Sequence, residues 1–291
     1  MVHAVRDMFL ENLDEATAEL QKDSISDDAV HEVRRVLKRA RAILRLLRKC
    51  IGPRRYRRGN VLIRDAARPL TALRDAKVLV RTFNQVARNS DDDEMNAFGS
   101  DLRRLLRHER RASRGGLSRR NALAAAADLQ RVKRRIAKIP KPQLNRVAML
   151  GGLGLVYKTG RKAFAQVREE PTDERLHEWR KQVKYMLNQI DVVRLLGVPQ
   201  LKGRRNRLHR LADLLGEDHD LAVLNSKISQ FTEHDAPQSR ADSAHDWTAR
   251  INGRRSALQR QAYPLGNRLY RKSTRRFKAL LDECLSRRSR T

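Results

Sequence analysis

The segment from Ala29 to Cys50 places nearly all of its cations on one side of a predicted helix and its apolar residues on the other. At about 100° per residue, Val33, Leu37 and Leu44 fall together on the apolar side. The opposite side collects the cations His31, Arg34, Arg35, Lys38, Arg41, Arg45 and Arg48. This periodicity excludes a β-strand and predicts a helix with one face in a core and one face directed outward.

The cationic face of this segment carries almost no compensating acid. Glu32 is the only carboxylate between Ala29 and Cys50, whereas an ordinary exposed helix interleaves both signs so that residues four apart can pair. A cation recurs about every 5 to 6 Å of helix rise along the row Arg34, Lys38, Arg41 and Arg45. Because Arg donates to phosphate in a bidentate way and Lys acts as a point charge, the row predicts a ligand with repeating phosphates. The alternative is a merely solvated charged face.

The charge of the whole chain points the same way. Lys and Arg number 64 against 34 Asp and Glu, which gives a formal net charge of +30 and favours a polyanionic partner. Hydrophobic residues at 40% exclude a disordered basic tail, and aromatic residues at 4% weigh against stacking on single-stranded nucleic acid. We expect a soluble, cytoplasmic protein without disulfides, because only two cysteines occur and neither a signal peptide nor a membrane-spanning stretch is apparent.

Helical periodicity continues through the rest of the chain, and no alternating strand pattern is found, so the sequence predicts an all-α protein. Pro140 and Pro142 stop a helix and form the best candidate boundary, between a first half at 1–139 and a second at 143–291. Pro69 is predicted to kink or split one helix, and Pro264 is predicted to begin the last one.

Two blocks of sequence recur in the two halves. Val30 to Arg35 aligns with Leu176 to Lys181, and Lys38 then falls on Lys184. At nearly the same offset, a second block aligns Leu70, Asp75, Val78 and Leu79 with Leu215, Asp220, Val223 and Leu224. The repeat predicts an internal duplication, with two helical bundles related by a pseudo-two-fold axis. Chance similarity between two helix-rich halves is the alternative.

The second copy of the cationic row is shorter, because Leu187 and Asp191 stand at the positions of Arg41 and Arg45. It comprises His177, Arg180, Lys181 and Lys184. Further cations recur on other predicted helices, at Arg64, Arg68, Arg104, Arg107, His108, Arg111, Arg205 and His209. Each is more often a solvated surface residue, but together with the two rows they make up the predicted anion-binding set.

Neither catalysis nor a metal is predicted. A His-Glu-x-x-His zinc hydrolase motif fails because Arg35 and Lys181 stand at the fifth position. The acidic cluster Glu217–Asp220 could hold a divalent cation, although salt bridging within a bundle is the more common role. Nucleotide-binding loops and a nucleophile paired with a base are lacking, so we expect no enzyme and no cofactor. Beside so many cations, His31 and His177 are expected to stay neutral.

These motifs resemble the CHAD family, the histidine-containing α-helical domain. His31 to Arg41 is similar to its His-x-x-Arg-x-x-x-Lys/Arg-Arg-x-Arg helix, which His177 to Lys184 repeats. Leu215 to Asp220 is similar to its Leu-Gly-x-x-Arg/His-Asp segment, and Pro264 to Tyr270, with Phe277, to its close. The resemblance covers nearly the whole chain. It departs from the family where fewer arginines follow Lys184, and where the first half lacks the glycine of the Leu-Gly segment.

The resemblance implies two four-helix bundles with pseudo-two-fold symmetry around a basic central groove or pore. It also implies that the groove binds inorganic polyphosphate without catalysis and recruits the protein to polyphosphate granules. A nucleic-acid-binding protein using the same basic surface is the alternative, and an enzyme acting on polyphosphate is a third possibility.

Overall fold

The structure is a computed structural model of the chain and describes residues 1–88, 93–112, 118–234 and 241–288. These residues form twelve α-helices and no β-strand, which confirms the all-α prediction. No helix in these ranges combines the length and the apolar character needed to cross a membrane. The helices are α1 (Val2–Gln21), α2 (Asp27–Leu46), α3 (Arg48–Ile51), α4 (Pro53–Ala67), α5 (Thr71–Ala87), α6 (Asp93–Ala112), α7 (Arg119–Ala137), α8 (Arg146–Glu169), α9 (Asp173–Leu195), α10 (Lys202–His234), α11 (Ala241–Tyr270) and α12 (Thr274–Arg288).

Side-chain caps begin several of these helices. In each case the side-chain oxygen accepts a hydrogen bond from the backbone N–H three residues further on, and the caps are Ser26, Ser118, Asn145 and Thr172. Glycines in the left-handed region follow α3 and α9, with φ of 80° at Gly52 and 84° at Gly197. The two cationic helices α2 and α9 therefore both begin at a hydroxyl cap that can be read from the sequence.

The prolines behave in two ways. Pro69 splits the predicted long helix, because α4 ends at Ala67 and α5 begins at Thr71. The prediction that Pro264 begins the last helix is wrong, since α11 continues through Pro264. Pro264 has no N–H for the carbonyl of Arg260, but both residues are exposed, so water can bind that carbonyl and the helix persists.

Buried side chains form two cores. The larger joins α1 to α4, α7 to α9 and α12 with the N-terminal part of α10 and the C-terminal part of α11. The smaller lies between α5, α6 and the remaining parts of α10 and α11, where the rings of Phe83 and Trp247 stack at 5.1 Å. Residues from both sides of the predicted boundary between 1–139 and 143–291 contribute to each core. The two halves are therefore interlocked rather than packed as separate bodies.

The two cationic helices, α2 and α9, pack directly against each other. The buried Gln189 of α9 donates from Nε2 to the carbonyl oxygen of Ala42 at 3.3 Å. One turn away, the Arg45 guanidinium lies 3.6 Å from the centre of the Tyr185 ring. These two contacts join the helices over about one turn of each. This crossing sets the distance between the two cationic faces.

Candidate functional site

A groove lies between α2 and α5 on one side and α9 and α10 on the other. It consists of three hollows, which we name the His219 hollow (about 250 Å³), the Lys184 hollow (about 500 Å³) and the Arg205 hollow (about 370 Å³). Arg180 and Asp220 line both the first and the second, and Asn188 lines both the second and the third. The hollows therefore follow one another along α9.

Both predicted cationic rows reach this groove. One face of α9 follows it through Arg180, Lys184, Asn188, Asp191 and Arg194, which recur every three or four residues. The first half contributes four cations of α2, namely Arg34, Arg35, Lys38 and Arg39. The two His-x-x-Arg rows are offset by about 146 residues in the sequence. The structure thus brings cations that are far apart in the chain to the two sides of one surface.

The Lys184 hollow has the largest volume of the three. Its five cations are Lys38, Arg81, Arg180, Lys184 and Arg254, and its three carboxylates are Asp213, Glu217 and Asp220. Two of these carboxylates already have partners in the hollow, since Arg254 pairs with Glu217 and Arg81 lies 4.0 Å from Asp220. The hollow therefore keeps a surplus of positive charge, to which α2 and α9 contribute from different sides.

The Arg205 hollow is lined by four arginines and a single carboxylate. Arg205 donates from Nε to Asp191 at 3.0 Å, and Arg35 pairs with Glu32 on its own helix. Arg39 and Arg194 form no ion pair with any described residue. Neither was in the predicted set, although Arg194 lies on the same face of α9 as Arg180 and Lys184, and that periodicity could have identified it.

Two histidines face each other at the His219 hollow. Their Nδ1 atoms are 3.4 Å apart. One ring can donate a hydrogen bond to the other only if one Nδ1 carries a hydrogen and the other does not. Burial, followed by the charges of Arg180 and His177, lowers the pKa of His219 to about 4. Burial and the neighbouring Arg180 also lower the pKa of His177, which agrees with the expectation that it stays neutral. His219 lay within the recognised Leu-Gly segment but was not predicted as a site residue.

These histidines should make the ligand-free protein less stable in mild acid. The folded-state pKa of His219 lies below its ordinary value, so the unfolded chain binds the proton more readily and stability falls as pH drops from about 6.5 to about 4. The expected loss over that window is about 1 to 2 kcal/mol after allowance for partial exposure of the ring. Urea unfolding at several pH values measures it. His219→Gln should flatten this dependence, and an unchanged slope in that variant would contradict the assignment.

Arg34, the first member of the predicted row, is held within the fold. Its side chain is largely buried and donates from Nη1 to the carbonyl oxygen of Leu70, the residue that precedes α5. Arg34 thereby ties the turn after Pro69 to α2, while part of it still lines the His219 hollow. Arg34 therefore helps to shape the groove at least as much as it adds positive charge to it.

Arg41 and Arg45 lie outside the three hollows, in a cluster with Tyr56 and Tyr185. Arg41 donates from Nε to Asn60 at 3.4 Å, and Arg45 covers the Tyr185 ring. Burial and the nearby charge of Arg45 lower the pKa of the Arg41 guanidinium. The predicted row is therefore divided between two surroundings. Lys38 lies in the groove, whereas Arg41 contacts Asn60 and Arg45 covers the Tyr185 ring.

The remaining predicted residues are spread over the exposed surface. Lys181 pairs with Glu178, and His209 Nδ1 lies 2.7 Å from Asp213. Arg64 pairs with Asp65 at 2.9 Å. His31 and Arg68 are exposed on α2 and at the end of α4. None of these five residues lines the three hollows.

The predicted cations of α6 are also outside the groove. This helix packs on α5 and α11 around the smaller core. Its outer face exposes Arg104, Arg107, His108 and Arg111. Its inner face carries Phe98, Leu102 and Leu106, which are buried.

A buried ion network holds the wall of the groove in place. Asp218, which is 2% exposed, accepts hydrogen bonds from Arg255 Nε at 3.2 Å and from Gln259 at 2.9 Å. Arg255 also pairs with Asp173 at the start of α9, so α9, α10 and α11 meet at one guanidinium. Burial raises the pKa of the Asp218 carboxyl. The acidic cluster Glu217–Asp220 is thus joined to Arg254 and Arg255 on the neighbouring helix.

Comparison with known proteins gives a family and a fold. The sequence model of the CHAD domain family matches residues 7–229, which include both cationic helices and every residue named above as lining the groove except Arg254. The crystal structure of the CHAD domain from the plant Ricinus communis is similar, with a TM-score of 0.62 and 14% sequence identity. The alignment covers 94% of this chain and 93% of that one, and at this identity it shows the fold alone. No curated protein sequence matches the chain.

Proposed function

The chain belongs to the CHAD domain family, and on that premise we propose that it binds inorganic polyphosphate in the groove between α2, α5, α9 and α10. The observation that carries the proposal is that α2 and α9 contribute cations to opposite sides of the Lys184 hollow, through Lys38, Arg180 and Lys184. A linear chain of phosphates placed there meets positive charge on both sides. Guanidinium groups suit it further because each can donate two parallel hydrogen bonds.

The length of the groove indicates how much polyphosphate it holds. Arg180 and Arg194 line hollows at its two ends. At a helix rise of about 1.5 Å per residue they are separated by roughly 20 Å along α9. A ligand must be several phosphates long to reach all three hollows. Short phosphates therefore leave part of the positive charge without a partner, which favours longer chains.

We propose that binding is not followed by catalysis. A base with a pKa of about 4, such as His219, accepts protons poorly near neutral pH. Asp191 and Glu217, two of the carboxylates along the groove, are engaged by Arg205 and Arg254. In the cell, the same binding would recruit the protein to polyphosphate granules in the cytoplasm.

We also propose that the halves 1–139 and 143–291 arose by internal duplication, with α2 and α9 as equivalent helices about a pseudo-two-fold axis. Their direct contact and their repeated His-x-x-Arg rows support this assignment. The second half contributes more to the groove than its short row suggests, because Arg194 extends the row on the same face of α9.

A titration with phosphate chains of increasing length tests the polyphosphate proposal. Affinity should rise with length from orthophosphate until the chain spans the groove, and it should fall steeply with salt because each phosphate contact releases a counterion. Isothermal calorimetry at two ionic strengths measures both trends. If long polyphosphate has no advantage over orthophosphate, the groove is not a polyphosphate site.

Nucleic acid is the alternative partner, favoured by the net charge of +30. A competition assay separates the two ligands. Polyphosphate should displace labelled duplex DNA or RNA when both are present at equal phosphate concentration. The reverse ranking would make nucleic acid the better assignment.

A further inference from the structure

A second concave surface lies between α8 and the C-terminal end of α11. It has a volume of about 520 Å³ and shares no lining residue with the groove. Arg161 and Arg168 of α8 lie on one side, and Arg268 and Arg271 lie on the other, at the end of α11 and just beyond it. We name it the arginine pocket after these four residues.

The positive charge of the arginine pocket is less compensated than that of the groove. Its lining contains no carboxylate, whereas each hollow of the groove contains at least one. All four arginines are exposed, and none forms a hydrogen bond or ion pair within the described ranges. Four guanidinium groups without counter-charges at one concave surface repel each other, so binding an anion there relieves an unfavourable interaction.

Close contact between α8 and α11 brings the arginines together. At Gly160 a Cβ would lie 2.5 Å from the Tyr270 hydroxyl, and at Gly266 it would lie 2.6 Å from the Phe164 ring. The missing side chains allow the helices to approach and to bury both rings. Tyr157 then donates from its hydroxyl to the carbonyl oxygen of Lys272 at 2.7 Å, which fixes the segment after α11. The pocket is therefore part of the packed structure and does not depend on the chance orientation of a loop.

We propose that the arginine pocket is a second anion site, which binds a compact phosphate oligomer such as pyrophosphate or tripolyphosphate. The pocket is a single open hollow with a volume in the range of small-molecule sites, unlike the three consecutive hollows of the groove. A compact ligand with several charges can reach more of the four guanidinium groups than orthophosphate can, and each group can donate two hydrogen bonds. This site is independent of whatever ligand the groove binds.

Calorimetric titration of the full-length protein with tripolyphosphate tests this proposal. Three paired variants carry the same change in charge: Arg168→Ala with Arg268→Ala in the pocket, Lys38→Ala with Lys184→Ala in the groove, and Arg134→Ala with Arg135→Ala on α7 as the control. The pocket pair should remove one bound tripolyphosphate per chain and change the affinity for long polyphosphate less than threefold. The control pair should leave the stoichiometry unchanged.

Two further outcomes decide between the pocket and the groove. If the groove pair removes all tripolyphosphate binding, or if the pocket pair behaves like the control pair, the pocket proposal is wrong. If the pocket pair alone reduces the stoichiometry while long polyphosphate fails to bind the groove, the pocket proposal is supported and the proposed function of the groove is wrong. Arg161→Ala with Arg271→Ala provides a second pocket variant, which must reproduce the first. Circular dichroism checks that each variant is folded.

Discussion

Lys38→Glu combined with Lys184→Glu should weaken binding of long polyphosphate about a hundredfold at low salt, or about 2.7 kcal/mol. The two side chains come from α2 and α9 and line the same hollow. Reversing both charges replaces attraction for phosphate by repulsion in the largest of the three hollows. It also removes two phosphate contacts, so the slope of log affinity against log salt should fall by about 1.4 to 1.8. Calorimetry over a salt series measures both quantities.

The matched control for this pair is Arg134→Glu with Arg135→Glu. These exposed residues of α7 lie outside the groove, and their reversal changes the net charge by the same amount. The control should weaken binding less than about threefold, because charges beyond a Debye length of roughly 10 Å are largely screened. Equal losses in the two pairs would mean that net charge alone governs binding. Thermal unfolding of both variants checks that the fold is retained.

Arg255→Leu should destabilise the protein by about 3 to 5 kcal/mol, because it leaves the carboxylate of Asp218 buried without its cation. The same change breaks the contact to Asp173 and so loosens α9 from α11. Urea unfolding at pH 7 measures the loss. A loss below about 1 kcal/mol would show that the network contributes little to stability.

A double variant and a pH series identify the cause of that loss. Asp218→Leu with Arg255→Leu should lose less stability than Arg255→Leu alone, because no buried charge remains. In the single variant the folded-state pKa of Asp218 should rise further above its unfolded value. The folded state then binds the extra proton, so the deficit of the variant should shrink as pH falls below that raised pKa. A deficit independent of pH would indicate lost packing instead.

The sequence predicted most helices because their signals are local. The amphipathic pattern of α2 and the caps Ser26 and Thr172 depend on residues within a few positions of each other. Pro69 ended a helix as expected, whereas Pro264 did not. A helix continues through a proline only where the carbonyl four residues earlier finds another partner, and that depends on the tertiary surroundings rather than on neighbouring residues.

The lining of the groove was predicted in part. The sequence identified Lys38, Arg180 and Lys184 as cations of two helices that share a His-x-x-Arg row, and the structure places them in one groove. It could not show that Arg45 covers the Tyr185 ring, or that Arg39 and Arg194 complete the Arg205 hollow. The arginine pocket was not predicted, because its four members belong to two helices whose contact depends on Gly160 and Gly266.

By itself, the sequence determined that the chain is helical, strongly basic and provided with two His-x-x-Arg rows. Periodicity, capping and net charge are properties of neighbouring residues, or of their sum, and need no partner to be defined. Only the tertiary structure decided which cations share a surface. It placed Lys38 opposite Lys184, buried Arg34 against Leu70, and gathered Arg161 and Arg268 in a pocket of their own. The reason is that helix crossings and close glycine contacts set distances between residues far apart in the chain, and electrostatic interaction depends on those distances.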